Sequence, residues 1–183
     1  MRAVQFHREG QLDKALIEYG TAIRMYPAYV EAVTDLGGTF VLLNRPDAAL
    51  AFLRRAQNVD DTDPVININI AIAMAEQADY GGAMKLLSRV LKDDPHLSLA
   101  HYYVAKIQCS QGRYAEAART AAEAVAANPD LLEGWILLME VNEKLKNPAG
   151  ARDALMHLRD AINDKVITRF FDEQLSAWDE AHT

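Results

Sequence analysis

The chain is poor in several residue types, and each shortage excludes a class of protein. It has one cysteine, Cys109, among 183 residues. No intramolecular disulfide can form, so nothing points to an oxidising compartment. Glycines number nine and prolines six, and strand-like alternation is absent, which fits an all-helical chain. No run of 18 apolar residues occurs, as a membrane-spanning helix would need. The opening, MRAVQFHREG, has no apolar stretch of the kind a secretory signal requires. The cytoplasm is therefore the expected location. Net charge is −7, and Lys and Arg are scattered. A nucleic acid or an anionic membrane surface would call for a basic stripe, so neither is expected as a partner.

Catalytic and metal-binding patterns are missing too. His96 and His101 are five apart, not the four that puts two ligands on one helical face. Cys109 has no histidine at a matching spacing, and reads as a small buried or groove-side residue. Glu133, Glu140 and Glu143 lie close in sequence, but acid–base work would need a pocket that raises one pKa. Gly81-Gly82 opens a predicted helix and belongs to no phosphate-cradling loop. No enzyme, metal site or cofactor is expected.

What the chain does have is a ladder. Ala15, Ala49, Ala83, Ala117 and Ala151 stand 34 residues apart. Four residues past each lies Tyr19, Leu53, Leu87, Ala121 or Leu155, and seven past lies Ala22, Ala56, Val90, Ala124 or Leu158. That spacing is one stripe of a helix. Twelve residues before each rung lies Ala3, Gly37, Ala71, Ala105 or Met139. Each period thus holds two helices, with small residues on both where their axes approach. Pro27, Pro95 and Pro129 close three of the periods, and Asp61 takes the equivalent place in another. Capping side chains precede a proline in Asp63-Pro64 and Asn147-Pro148, and Gly112 suits a helix end with positive φ. A fixed period of this length marks a stacked repeat.

The ladder, Gly37 and its counterparts, Trp135, the aromatic helix starts Tyr80 and Tyr114, and the three prolines resemble the tetratricopeptide repeat family. The expected fold is all-α: a right-handed superhelical solenoid of five tandem helix-turn-helix repeats over residues 1–163, with an amphipathic capping helix over 164–183. Met1 falls inside the first helix of the first repeat, so the chain reads as a piece of a longer protein. In the last segment Ile167, Phe170, Phe171, Leu175 and Trp178 recur at helical spacing. They would cover the open end of the last repeat, or meet a partner or a second copy of the chain.

The first helix of each period has a face turned away from its own partner helix. In the second period this face carries Thr34, Gly38, Val41 and Leu42; in the third, Val65, Ile68, Ile72, Ala75 and Glu76. In the fourth it carries Leu99, Tyr102, Lys106, Cys109 and Ser110; in the fifth, Glu133, Ile136, Glu140, Glu143 and Lys144. The family resemblance implies that such helices line a concave groove that binds a segment of another protein. The face is apolar in the middle and acidic toward its C-terminal end. It would suit an apolar or amphipathic ligand with a basic flank, and Gly38 would let a ligand backbone come close. The Lys and Asn pairs by which some family members clamp a C-terminal carboxylate are not in place. The expected function is a non-catalytic scaffold or adaptor. One alternative is homo-oligomerisation through the end helices. The other is a regulatory segment of a larger enzyme.

Overall fold

A computed structural model describes residues 2–161 and 165–181, with the side chains of Lys165, Val166, Asp179 and Ala181 left aside. The described residues form eleven helices in two compact units, Met1–Asp93 and Asp94–Thr183. No helix among them is long and apolar enough to cross a membrane.

The first unit holds α1 (Arg2–Arg8), α2 (Leu12–Met25), α3 (Val30–Leu42), α4 (Pro46–Gln57), α5 (Pro64–Glu76) and α6 (Tyr80–Asp93). Each helix packs on the next, and α3 also meets α5. The second unit holds α7 (Ser98–Ser110), α8 (Tyr114–Ala127), α9 (Leu132–Lys144), α10 (Pro148–Ala161) and α11 (Lys165–Ala181). It is built the same way, with α7 meeting α9. Each period holds two helices, as the ladder predicts. Asp63 Oδ1 accepts from the Val65 and Ile66 amides at 2.7 and 3.1 Å, supplying acceptors for donors that open α5.

The alanine ladder lies at the heart of both units, with every rung at most 1% exposed. Burial of the residues four positions on (Tyr19, Leu53, Leu87, Ala121 and Leu155) completes the stripe. In α11, Phe171 packs onto the cluster formed by Val125, Trp135, Ala154 and Leu158. Arg159 Nε donates to Asp172 at 2.7 Å, tying α10 to α11.

Two further periodic features are only partly visible in the residue types. The turn between the paired helices of each period passes through a left-handed residue: Gly10, Asn44, Ala78, Gly112 or Lys146, at φ +70°, 53°, 62°, +73° and 54°. These positions are again 34 apart. At each, the residue's amide bonds three residues back and the following amide bonds five residues back. Ala78 to Ala75 and Asp79 to Met74, both 2.9 Å, are one such pair. This double closure satisfies carbonyls at the end of the first helix.

The second feature is a bond from a side chain to the carbonyl six residues before it. His101 Nε2 donates to Pro95 O at 2.8 Å and Trp135 Nε1 to Pro129 O at 2.9 Å. In the period that lacks the proline, Asn67 Nδ2 donates to Asp61 O at 2.8 Å. The carbonyl keeps its partner although the proline is gone.

Candidate functional site

In the second unit, α7 and α9 lie side by side because the small Ala105 and Ala117 let α7 sit close on α8, over which α9 also packs. Their outward faces enclose an open recess of about 420 Å³. Tyr102, Lys106, Cys109 and Ser110 come from α7; Glu133, Ile136, Leu137 and Glu140 come from α9. Seven of these eight stand on the faces read from the helical period. Leu137 is the addition: it is mostly core, and only its edge reaches the recess.

Its electrostatics are acidic. Burial, then the charges of Glu133 and Glu140, push the Tyr102 phenol up. Burial and then Glu140 push the Cys109 thiol up, with Lys144 opposing. The thiol therefore stays protonated at neutral pH and is a poor nucleophile. Lys106 reaches over the Tyr103 ring, 5.9 Å from its centroid, and Tyr103 meets Tyr102 edge to face at 4.9 Å. Ile136 is 42% exposed in the middle of the carboxylates. The arrangement can hold an apolar side chain and attract a cation. Among the described residues no group of three or more His, Cys, Asp and Glu side chains is placed to hold a metal ion.

Other expected residues lie elsewhere. Leu99 is exposed on the first turn of α7. Glu143 lines a separate recess of about 420 Å³ with Lys146, Asn147, Pro148 and Trp178. In the first unit Leu42 and Val65 are exposed, Val41 and Ile72 are half-buried, and Glu76 is exposed.

Two residues of that unit are not open to a ligand. Ile68 is only 3% exposed. Its helix, α5, is apolar most of the way round, and such a helix is covered on more than one side. Thr34 is also buried, and its hydroxyl donates to its own helix at Val30 O, 3.0 Å away. Gly38 is half-buried, and a Cβ there would make ordinary van der Waals contact with Asn69 Nδ2 at 3.4 Å.

The family model described as "Tetratricopeptide repeat" matches residues 6–68, 44–107 and 74–131, together well over half of the chain. No curated protein sequence matches at a significant level. Among solved structures, a thermophilic TPR protein of Thermus thermophilus is similar at TM-score 0.81 and 16% identity, covering 96% of this chain and 94% of that one. Pseudomonas aeruginosa PilF is similar at TM-score 0.75 and 16% identity, covering 97% and 81%. PilW, described as a type IV pilus biogenesis factor, is similar at TM-score 0.72 and 24% identity, covering 87% and 74%. At these identities the structures speak for the fold. The alanine ladder, the five repeated turns and the family match agree, and the chain belongs to the tetratricopeptide repeat family.

Proposed function

We propose that the chain is a non-catalytic protein-binding scaffold, and that the recess between α7 and α9 takes an apolar side chain of a partner segment with a Lys or Arg beside it. The observation that supports this reading most is Ile136, partly exposed between Glu133 and Glu140 and facing Tyr102 across one recess. Fully burying an aliphatic side chain contributes roughly 1.5–3 kcal/mol before ordering costs, so one anchor would need neighbouring contacts to reach useful affinity. Peptide-library selection on the wild-type chain, counter-selected on Ile136→Asp and on Glu133→Lys/Glu140→Lys, tests it. The reading expects peptides carrying an apolar residue next to a basic one, lost on both variants while circular dichroism stays helical. A selected pool indifferent to both variants would overturn it.

A second reading rests on α11, where Phe170 is 55% exposed against Phe171. Self-association through this helix would appear as a mass that rises with concentration in sedimentation and returns to one chain in Phe170→Glu.

A further inference from the structure

A second recess, in the first unit, has the opposite charge. It lies where α4 and α6 flank α5, and its volume is about 340 Å³. Its floor is apolar: Ile70, Met74 and Leu86. Its rim is basic: Arg54 from α4, Lys85 and Arg89 from α6. Among the described residues no carboxylate lines it. Arg89 is partly neutralised, since its guanidinium lies 3.6 Å from the Asp61 carboxylate and also donates to the Asp61 carbonyl. Arg54 and Lys85 have no ion-pair partner among the described residues.

Gly82 keeps the recess open. A Cβ at this position would come 2.2 Å from Met74 Cε and 2.5 Å from Asp79 Oδ2. Any larger residue would push the methionine, a flexible and adaptable side chain, off its place in the floor. The Gly81-Gly82 pair, which serves no phosphate loop, is thus accounted for at one of its two positions.

We propose that this recess binds an acidic segment of a partner protein, with one Leu, Ile, Met or Phe side chain seated on Ile70, Met74 and Leu86 and flanking Asp or Glu side chains meeting Arg54 and Lys85. Charge complementarity carries the choice. The chain as a whole is at −7, so a cluster of three cations over an apolar floor stands against the general field. A free inorganic anion would use the rim and leave the floor unused. A nucleic acid would need a longer basic track than three side chains. The inference does not rest on the α7–α9 recess, which calls for a ligand of the opposite charge.

The test is a random peptide-display selection on the wild-type chain, counter-selected on Arg54→Glu/Lys85→Glu. Peptides that depend on these two residues should be rich in Asp and Glu around an aliphatic or aromatic residue. In fluorescence polarisation, the selected peptides should lose about tenfold or more in affinity on Arg54→Gln/Lys85→Gln, and similarly when their apolar residue becomes Ala. Affinity should fall with added salt, and Ile136→Asp should leave it unchanged. A dependent pool without acidic excess, or no dependent pool at all, would overturn the proposal. So would Lys85-dependent binding of phosphatidylserine vesicles in the absence of peptide binding, or a Lys85-dependent dimer in sedimentation.

Discussion

Gly37 of α3 lies so close against Leu53 of α4 that a Cβ on the glycine would sit 2.5 Å from the leucine's Cγ. Leu53 is fully buried, and its branch carbon is not the free end of a flexible chain. Gly37→Ala should therefore overpack the pair and destabilise the chain by about 1–2 kcal/mol, even after the helix propensity that alanine returns. Leu53→Ala alone should cost roughly 2–5 kcal/mol through the cavity it leaves. The double variant should cost less than the sum, because the new methyl occupies part of that cavity. Urea unfolding followed by circular dichroism measures all three.

The turns offer the reverse experiment. Ala78 is exposed and carries φ 62° without the glycine that such a conformation favours. Ala78→Gly should stabilise by about 1 kcal/mol, since the left-handed region costs an L-residue roughly that much. Gly112→Ala, at φ +73° with open space around it, should lose about as much. Opposite shifts in melting temperature would show this; equal signs would contradict it.

A third prediction concerns pH. The Tyr19 hydroxyl donates to Asp35. Burial first, then the Asp35 charge and this bond, push its pKa from 10.0 up to about 12. An unfolded tyrosine ionises near its ordinary value, so between the two values the folded chain holds a proton the unfolded chain has lost. This contribution to stability is complete below about pH 10 and is lost as pH rises through about 12. Burial also lifts the Asp35 carboxyl above its ordinary 3.8, with the Tyr19 hydrogen bond and the His7 charge opposing and Glu31 adding. Its contribution is full below that ordinary value and declines as pH rises through the raised one. Asp35→Asn should remove the acidic-side decline and bring Tyr19 ionisation down toward its ordinary value. Phenolate absorbance and urea midpoints across pH would register both changes.

The helices were legible because their signals are local. A 34-residue ladder, a proline after Asp63 and an apolar stripe each constrain a few neighbouring positions. The α7–α9 recess was legible for the same reason: Tyr102, Lys106, Ile136 and Glu140 share faces that follow from the helical period alone. Ile68 was not legible as a covered residue, because α5 is apolar on nearly every side and its periodicity singles out no face. Gly38 looked open; Asn69, in the next repeat, stands within ordinary contact distance of it. The left-handed turns at Ala78 and Lys146 were hidden because backbone bonds impose them on residues that do not advertise them. The basic recess was missed because its cations stand on second helices, whose outer faces read simply as solvated charge.

The carbonyls of Asp61, Pro95 and Pro129 are held by an amide, an imidazole or an indole, always from six residues on. Three chemistries thus perform one duty at one place. What recurs along this chain is an address for a donor, not a letter. A lineage built on addresses can exchange most of its alphabet and keep its architecture, so kinship here is better measured by superposing bonds than by aligning residues.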